Sequence, residues 1–379
     1  MERSATRPLE GIAVLEMGSS LAGPFAARVL AELGAWVVKV EDPRGGDVAR
    51  TWGPKADDGT TGVFHSFNRG KRSITVNFTD EADARRLRAL IDNRIDVIVQ
   101  NLRPGTASRY GFGEELRRDK PSLIYCNAGA FGREGPLKDR PGYDPLMQAF
   151  TGLMASTGSA DGPPSRTSSP MIDVGNGMWS AIGILAALVR RVQTGEGCTV
   201  DTALFETALS LQTVMYANYV AGGEIPQRNG PTGPLAAPNS AYETADGLLM
   251  ITAGTQGHFR KLCQVLERPD LAQDPRFAEG PERYANRTAL REELEKTLKT
   301  RGRDDWYQRL VAVDVPNGPV QSVDEVVAHP HTQASGILQS EPDSSFQSVA
   351  LPLRFDGERP RPQRGAPALG EGNEEVFGE

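Results

Sequence analysis

The sequence has few of the residues that most often bind metal ions or form disulfide bonds. Its 379 residues include only three cysteines and four histidines. Cys126, Cys198 and Cys263 are far apart and none belongs to a C-x-x-C pair, so neither a disulfide framework nor a zinc site is indicated. His329 and His331 lie in a polar loop that offers no further ligands. We therefore expect no bound metal ion and interpret the histidines as surface residues.

An excess of basic charge and a long apolar run are also missing. The net charge is −7 and neither sign forms a long run, which argues against nucleic acid as a partner. No apolar run approaches the length that a membrane span needs. Residues 1–10 carry two arginines and two glutamates without an apolar core, unlike a signal peptide. The sequence predicts a cytoplasmic protein with no membrane partner.

Strands alternate with helices along the first half of the chain. Residues 12–16 and 36–41 are short apolar runs typical of buried strands, and between them a helical pattern begins near Pro24 and ends before Gly34. The alternation continues to a long amphipathic helix over residues 174–191. The side chains expected on its buried face are Met178, Ile182, Leu185, Ala186 and Val189. This order predicts an α/β fold with a mostly parallel sheet covered on both faces.

Length and composition indicate more than one hydrophobic core. Hydrophobic residues make up 39% and charged residues 24% of the chain, as in a globular protein. Because 379 residues exceed what one core normally serves, two domains are expected. Residues 222–238 contain four glycines and four prolines, which predicts a linker or a mobile loop. The patterns after this segment are typical of a smaller α+β domain.

Several common catalytic motifs are absent. The sequence has no G-x-S-x-G elbow of an α/β-hydrolase. Gly70-Lys71 lacks the upstream glycine of a phosphate-binding P-loop. The stretch from Gly175 to Gly177 opens a helix, but Ser180 stands where a dinucleotide fingerprint would have its third glycine. A nicotinamide cofactor is therefore weakly supported.

Two aspartates stand at the starts of predicted helices. Aspartate is a favoured N-cap and complements the helix dipole, and Pro145 directly after Asp144 favours that interpretation for Asp144. For Asp173 two interpretations stay open. It is either a helix cap, or an ionised carboxylate at the sheet edge where α/β proteins bind ligands. Arg103 and Arg109 follow a strand end and are either phosphate-binding groups or solvated loop residues.

A series of short motifs runs along nearly the whole chain. From the N-terminus onward they are Leu21-Ala-Gly-Pro24, residues 34–41, Gly45-Gly-Asp47, Asn68-Arg-Gly-Lys-Arg-Ser73, residues 99–105, Gly142-Tyr-Asp144, Asp173-Val-Gly-Asn-Gly-Met178, residues 183–188, Thr244-Ala-Asp-Gly247, Gln256-Gly-His-Phe259 and residues 315–320. Together and in this order, the motifs resemble the family III CoA-transferases, although no single motif is specific.

The resemblance implies a fold and an assembly. It implies a large Rossmann-like domain from residues 1–205 and 335–379, and a small α+β domain, residues 236–334, inserted between them. A linker helix and loop, residues 206–235, would join the two domains. The resemblance also implies an interlocked homodimer, which breaks the usual rule against threaded chains and leaves no isolated folded monomer. Nothing in composition or periodicity indicates this assembly.

The resemblance also implies roles for individual residues. Asp173 matches the aspartate that becomes covalently acylated. The positions that match the coenzyme A site are Leu21, Val76, Thr79, Asn101, Leu102, Arg103, Arg109 and Tyr143. Leu21 stands where the formyl-CoA branch has a glutamine, a departure that leaves polar assistance from this position unsupported. The implied substrates are acyl-CoA and a carboxylic acid, with no permanently bound cofactor.

The implied chemistry suits an aspartate. A carboxylate with a pKa of roughly 4 is ionised at neutral pH and attacks a thioester without a partner base. The attack would give a mixed anhydride and then an aspartyl-CoA thioester, and an acceptor acid would enter by the reverse steps. The backbone N–H groups of Gly175 and Gly177 are the expected oxyanion donors. Residues 229–234 are a predicted lid that keeps water from the intermediate.

Two other functions are considered. The racemase branch of the same superfamily uses a histidine and a glutamate around the shared aspartate. Tyr143 and Gln256 stand at those positions here, so both proton-transfer groups are missing. A CoA-ester-binding protein without turnover is the second alternative, and the presence of Asp173 disfavours it. The donor and acceptor are not specified, and Arg166 is either a partner for an acceptor carboxylate or an exposed loop residue.

Overall fold

A computed structural model of the chain describes residues 6–233, 236–342 and 344–378. These residues form two compact units. The first unit contains the described residues up to Met154, Arg166–Ile225 and the described residues from His331 onward, and the second contains Ala155–Ser165 and the described part of Pro226–Pro330. The division into domains at residues 205, 235 and 334 stays a prediction.

Alternating strands and helices make up the chain as far as residue 222. In chain order they are β1 (Ala13–Met17), α1 (Ala22–Glu32), β2 (Trp36–Glu41), α2 (Gly62–Asn68), β3 (Lys71–Thr75), α3 (Glu81–Arg94), β4 (Val97–Gln100), α4 (Thr106–Arg109), β5 (Ile124–Gly129), α5 (Asp144–Phe150), α6 (Leu153–Ser156), α7 (Met171–Thr194), β6 (Thr199–Ala203), α8 (Leu204–Leu211) and α9 (Thr213–Gly222). The six strands form one parallel sheet in the order β3-β2-β1-β4-β5-β6. The predicted α/β fold with a mostly parallel sheet is confirmed.

The first β-α-β segment shows why this part of the chain folds as it does. The apolar run of β1 is buried along its whole length, as expected for a central parallel strand. The helix α1 then ends at Glu32, and Gly34 turns the chain with φ of 104°, a conformation that glycine adopts without strain. The next strand, β2, pairs in parallel with β1.

The long helix α7 buries the face opposite to the predicted one. Met178 and Ile182 are each 51% exposed and Val189 is 62% exposed. Leu185, by contrast, is partly buried against the core. The buried face carries small residues together with Ile184 and Leu188, and a Cβ at Gly177 would lie 2.8 Å from the backbone oxygen of Ala22 in α1. The prediction is wrong because periodicity identifies an apolar stripe but does not reveal that the small residues allow closer helix packing.

The same helix meets the length and composition expected of a membrane span. Its most apolar 18-residue stretch has a mean hydropathy of 1.5, and half of that stretch is buried inside the protein. Among the described residues no other helix meets this criterion. The expectation that no apolar run approaches the length of a span is therefore wrong, although one half-buried helix is weak evidence for a membrane.

The second unit contains an antiparallel sheet packed against helices. The elements from residue 239 to 328 are β7 (Asn239–Glu243), β8 (Leu248–Thr252), α10 (Gln256–Val265), α11 (Pro269–Gln273), α12 (Gly280–Ala285), α13 (Arg287–Leu298), α14 (Arg303–Val311), β9 (Asn317–Pro319) and α15 (Val323–Ala328). The helix α16 (Pro330–Ser335) begins at the boundary, and its residues from His331 onward belong to the first unit. The strand order is β7-β8-β9. Leu249, Phe259 and Leu294 are fully buried in its core. The predicted lid ends at Pro234, which lies outside the described residues, and its role stays a prediction.

The C-terminal part of the chain belongs to the first unit. It contains β10 (Leu338–Ser340), β11 (Gln347–Val349) and α17 (Asn373–Phe377). Arg69 is fully buried and binds Glu32 of α1 through Nε at 2.7 Å and Nη2 at 2.8 Å, while its Nη1 donates to Ser348 Oγ at 2.5 Å. This arginine therefore links the C-terminal part of the chain, at β11, to the helix of the first β-α-β segment.

His65 makes a second contact between the N-terminal and C-terminal parts of the first unit. Its ring is 1% exposed, with Nδ1 3.0 Å from Oε2 of Glu341 and Nε2 3.2 Å from Oδ2 of Asp58. The ring also stacks on Phe346 with centroids 4.2 Å apart. The interpretation of every histidine as a surface residue is wrong here, because Glu341 is 276 positions away in sequence. Within the described ranges, no group of three or more His, Cys, Asp or Glu side chains is placed to hold a metal ion.

Candidate active site

A cavity of about 810 Å³ opens at the carboxyl ends of the parallel strands. The strand order reverses between β1 and β4, and such a reversal leaves a crevice because neighbouring connections run to opposite faces of the sheet. Lining residues at the ends of β1, β4, β5 and β6 are Ser19, Ser20, Gln100, Asn101, Leu102, Asn127, Ala128, Asp201 and Thr202. The cavity thus lies where an α/β sheet binds ligands.

Asp173 lines this cavity from the first turn of α7. It is the third residue of the helix and Pro170 is the N-cap, so the interpretation of Asp173 as a helix cap is wrong. Its side chain is largely buried, and its carboxylate has no hydrogen-bond partner among the described residues. Burial, together with the charge of Asp144, raises the pKa of Asp173 to about 7. The expectation of an ordinary pKa near 4 is therefore wrong.

Asp144 caps the helix that carries Asp173. It follows the N-cap of α5 and is not itself that cap, which corrects the sequence interpretation. Its Oδ2 accepts the backbone N–H groups of Ile172 at 2.7 Å and Asp173 at 3.2 Å, which are free donors at the start of α7. Gln148 donates to its Oδ1 at 2.5 Å. Because Asp144 is buried and held at both oxygens, its carboxyl group is fixed beside Asp173.

Apolar packing explains why Asp173 is desolvated. Ile172, its chain neighbour, is fully buried in a cluster next to the start of α7. The buried members of that cluster are Ala22, Phe131, Met147, Ile172, Leu204 and Ala208. A carboxylate placed beside such a cluster loses hydration of its charged form, which is the main reason why its pKa rises.

The two glycines after Asp173 do not have the predicted role. Gly175 and Gly177 are the fifth and seventh residues of α7, where backbone N–H groups bond to carbonyls four residues earlier. Their amides are therefore not free to stabilise an oxyanion. A Cβ at Gly175 would lie 3.1 Å from Thr207 and one at Gly177 would lie 2.8 Å from Ala22. Both glycines serve close packing of α7 against its neighbours.

Asn101 fixes the loop between β1 and α1. Its Oδ1 accepts the backbone N–H of Ser19 at 2.9 Å, and its Nδ2 donates to the backbone oxygen of Ser19 at 2.8 Å. A Cβ at Gly18 would lie 2.4 Å from Oδ1 of Asn101, so glycine leaves room for the amide. Asn101 lines the cavity as predicted in position, but both ends of its amide already bind the protein.

A chain of polar side chains joins the ends of three strands along the cavity. Gln100 of β4 donates to Asn127 of β5 at 2.6 Å, and Asn127 donates to Asp201 of β6 at 2.7 Å. Arg133 is 3.2 Å from Asp201 and also binds Glu114. These residues escaped the sequence interpretation, although polar residues at successive strand ends were a usable signal.

Two basic side chains at the cavity are not in ion pairs. Arg103 and Lys138 are exposed, line the cavity and have no acidic partner among the described residues. Arg133, by contrast, is neutralised by Glu114 and Asp201. Arg103 and Lys138 are therefore the lining groups that are free to bind an anionic ligand such as a phosphate.

The structure brings together only part of the predicted site. The predicted residues that line the cavity are Asn101, Leu102, Arg103, Tyr143 and Asp173. Leu21 is the buried N-cap of α1, and Val76, directly after β3, is buried in a hydrophobic cluster of the first unit. Thr79 is exposed and its hydroxyl donates to Asn77 at 2.8 Å. Arg109 is exposed and lies over the ring of Tyr110 at 4.7 Å. These four are not lining residues.

Comparison with known proteins identifies the family. Residues 9–373 match CoA-transferase family III. The chain belongs to this family. Family III CoA-transferases use acyl-CoA as a substrate, so the cavity belongs to an enzyme, and the resemblance read from the sequence is confirmed.

Individual family III relatives cover nearly the whole chain. The chain is 36% identical to the succinate–glutarate CoA-transferase of Agrobacterium fabrum, over 98% of this chain and 95% of that enzyme. It is also 36% identical to the acetyl-CoA:oxalate CoA-transferase of Acetobacter aceti, over 96% of this chain and 93% of that enzyme. A crystal structure of a CAIB/BAIF family protein from Brucella suis matches with a TM-score of 0.90 at 36% identity, over 98% of this chain and 99% of that chain.

Proposed function

We propose that this enzyme transfers coenzyme A from an acyl-CoA thioester to a carboxylic acid, with Asp173 as the nucleophile. The observation that carries the proposal is the state of the Asp173 carboxylate. It is largely buried at a cavity, it has no hydrogen-bond partner among the described residues, and a second carboxylate stands beside it. A pocket that only binds gains nothing from such an unfavourable charge.

The raised pKa suits a nucleophile that works near neutral pH. With a pKa of about 7, a large fraction of Asp173 is ionised at pH 7, and the poorly solvated anion is a stronger nucleophile than a hydrated carboxylate. No neighbouring base is required, because the attacking species is already the anion.

The transfer proceeds by exchange of carboxylate and thiolate. A carboxylate oxygen of Asp173 attacks the thioester carbonyl, the C–S bond breaks, and the electron pair leaves with the CoA thiolate, which gives a mixed anhydride. The thiolate attacks the aspartyl carbonyl and releases the donor acid, which leaves an aspartyl-CoA thioester. An acceptor carboxylate then attacks the aspartyl-CoA thioester and displaces the CoA thiolate, which gives a second mixed anhydride. The thiolate attacks the acceptor carbonyl of this anhydride, releases the Asp173 carboxylate and forms the new acyl-CoA. No proton is gained or lost over the cycle.

The proposed ligand groups divide between the phosphates and the acyl end of the substrate. Arg103 and Lys138 would bind the phosphates of coenzyme A, because they are unpaired cations at the cavity. The thioester would lie at Asp173. The acceptor that we propose is a small dicarboxylic acid, on the ground that the relatives are named for succinate, glutarate and oxalate.

The two alternative functions are not favoured. Tyr143 is 62% exposed beside the cavity, and its phenol stands where the racemase branch has the imidazole of a histidine. Gln256 donates to the backbone oxygen of Ala278 at 2.7 Å and accepts from Arg283 at 2.6 Å, and an amide does not transfer protons. A racemase therefore lacks both of its bases. The relatives of this chain are also named as transferases, which disfavours a protein that only binds.

The test is mass spectrometry of the intact protein after incubation with succinyl-CoA or acetyl-CoA, followed by peptide mapping. A CoA adduct on the peptide that contains Asp173, cleaved by hydroxylamine, is expected. The Asp173→Asn variant keeps the size of the side chain and should give neither adduct nor turnover. Transfer by this variant at the wild-type rate, or an adduct on another residue, would contradict the proposal.

We also propose that two chains form an interlocked homodimer. Apolar side chains on α7 and α9 are exposed in the single chain, among them Met178, Ile182, Val189, Val214 and Val220. Such a surface is typical of a subunit interface. Light scattering should give twice the mass of the chain, and two differently labelled preparations should exchange no subunits unless they are unfolded together. A monomeric mass, or exchange under native conditions, would contradict the dimer or its interlocking.

A further inference from the structure

Ser20 has an unusual backbone conformation at the cavity. Its φ is 71°, in the left-handed region that a residue with a Cβ adopts at a cost. Non-glycine residues with positive φ in the described part of the chain are Ser20, Glu267, Asp314 and Asp356. Of these four, Ser20 lines the cavity. Its hydroxyl has no hydrogen-bond partner among the described residues. Glycine would fit this backbone without strain, so the serine side chain itself needs an explanation.

A buried ion network holds Ser20 in this conformation. The backbone N–H of Ser20 donates to Oδ1 of Asp47 at 2.9 Å. The other oxygen of Asp47 is 2.8 Å from Nζ of Lys39, which also binds Glu16 at 2.7 Å, and none of these three side chains is exposed. Burying these charges costs solvation, and removing one partner would leave another charge buried and unpaired, so Asp47 is held firmly in place. It holds a strained residue at the site.

The neighbouring residue is held in the same way. Both backbone polar groups of Ser19 bind the amide of Asn101, at 2.9 and 2.8 Å. Two side chains from distant parts of the sequence therefore fix consecutive residues of one loop. These bonds fix the backbone from which the serine side chains extend before a substrate arrives, and such preorganisation is what electrostatic stabilisation requires.

The loop leads directly into α1, and α1 packs against α7, the helix that carries the nucleophile. The backbone oxygen of Ala22 would lie 2.8 Å from a Cβ at Gly177. Ala22 is two residues after Ser20, and Gly177 is one helical turn after Asp173. At the start of α7, Asp144 already occupies the N–H groups of Ile172 and Asp173. A hydrogen-bond donor for the reacting carbonyl must therefore come from another element.

We propose that the Ser20 hydroxyl donates a hydrogen bond to the thioester carbonyl oxygen as Asp173 attacks, and that Asp47 and Lys39 are positioning residues for Ser20. This inference rests on the function proposed above. The carbonyl oxygen gains negative charge as its carbon becomes tetrahedral, so the hydrogen bond strengthens at that moment. The hydroxyl keeps its proton throughout.

The first test is Ser20→Gly, which removes the hydroxyl and also relieves the backbone strain. The expected result is a fall in kcat of about 100-fold to 1000-fold, as for the loss of one oxyanion donor. The Kd for coenzyme A should change less than about twofold and Tm should not fall. Asp356→Gly relieves the same kind of strain at an exposed turn outside the cavity, so it should keep the wild-type kcat.

The second test is a double-mutant cycle with Asp47→Asn, which keeps an acceptor for the Ser20 N–H but weakens the pairing with Lys39. If Asp47 acts through Ser20, its substitution lowers kcat in the wild type and has little further effect in Ser20→Gly. Independent losses that multiply in the double variant would overturn the positioning role. A residue with only a structural role would lower Tm without this non-additivity.

The outcomes separate this inference from the proposed function. Wild-type enzyme that forms the Asp173 adduct while Ser20→Gly retains full kcat would overturn the role of Ser20 alone. Wild-type enzyme that forms no adduct with either donor, and transfers no CoA, would overturn the proposed function and this inference with it.

Discussion

The buried carboxylate of Asp144 accepts the backbone N–H of Asp173 at 3.2 Å while its charge acts on the Asp173 side chain. One aspartate thus has two opposite effects on its neighbour. It satisfies free donors at the start of α7 and stabilises the helix, and it disfavours the ionised form of the carboxylate on the same turn. The reactivity of Asp173 is therefore tied to the capping of its own helix.

The first prediction concerns the pH dependence of the reaction. Formation of the Asp173 adduct should rise with pH through about 7, because the attacking species is the anion. Asp144→Asn removes the neighbouring charge and should lower the pKa of Asp173, moving the midpoint down by about one pH unit. Single-turnover rates between pH 5 and pH 9 measure this shift. An unchanged midpoint would show that burial alone sets the pKa.

A second prediction concerns stability, with the opposite dependence on pH. The pKa of Asp173 is about 4 in an unfolded chain and about 7 in the folded enzyme. The folded state therefore holds the extra proton, and its stability falls as pH rises from about 4 to about 7. Asp173→Asn does not titrate, so its stability relative to wild type should grow by ~2–3 kcal/mol from pH 5 to pH 8.

Denaturant unfolding at the two pH values measures this difference. Any cost of the new amide that does not depend on pH cancels in the comparison. Glu206→Gln is the matched control, because it removes a carboxylate that lines the same cavity but does not raise the pKa of Asp173. Parallel stability curves for wild type and Asp173→Asn would rule out a raised pKa.

The sequence predicted the parallel sheet and the place of Asp173 at the start of a helix because local patterns encode both. Apolar runs and helix-ending glycines are written within a few residues. The contacts that define the site are not local. Asp144 reaches Asp173 over 29 positions, Asn101 reaches Ser19 over 82, and His65 reaches Glu341 over 276. Sequence periodicity does not indicate such pairs. The capping of α7 by Asp144, the bonds of Asn101 to Ser19 and the burial of His65 were therefore seen only in the structure.

A third prediction tests the role of Gly177 in packing. In an exposed helix, Gly→Ala normally stabilises by ~0.5–1 kcal/mol. At Gly177 the added Cβ would lie 2.8 Å from the oxygen of Ala22 and 2.9 Å from Cβ of Phe25, so α1 and α7 must move apart. Gly177→Ala should therefore destabilise by ~1–3 kcal/mol.

Gly257 of α10 supplies the control for this substitution, because no atom lies within 4 Å of its added Cβ. Gly257→Ala should be neutral or stabilising. Chemical denaturation of both variants gives the two values. A gain of stability in Gly177→Ala would contradict close packing of the two helices.

A fourth prediction concerns the phosphates of coenzyme A. Removal of either unpaired cation, by Arg103→Ala or Lys138→Ala, should raise the Kd for coenzyme A by about 10-fold to 100-fold, since a charge-assisted hydrogen bond contributes ~1.5–3 kcal/mol. Pantetheine, which lacks the phosphates, should bind wild type and variants equally. Calorimetric titration gives the Kd of both ligands for wild type and variants. If a variant weakens the binding of pantetheine as much as that of coenzyme A, a phosphate contact is contradicted.

The last prediction concerns the contribution of His65 to the stability of the fold, which should depend on pH. Burial disfavours its charge, but the carboxylates of Glu341 and Asp58 outweigh burial and raise the pKa of His65 above its ordinary value. Its charged form therefore stabilises the folded state fully below about pH 6.5, and this contribution is lost as pH rises through the higher folded pKa. His65→Gln should cost more stability at pH 6 than at pH 9. Glu341→Gln should flatten the same pH dependence, because it removes one of the two charges. Thermal unfolding across this range measures both variants, and a His65→Gln curve parallel to wild type would show that the buried ring carries no charge.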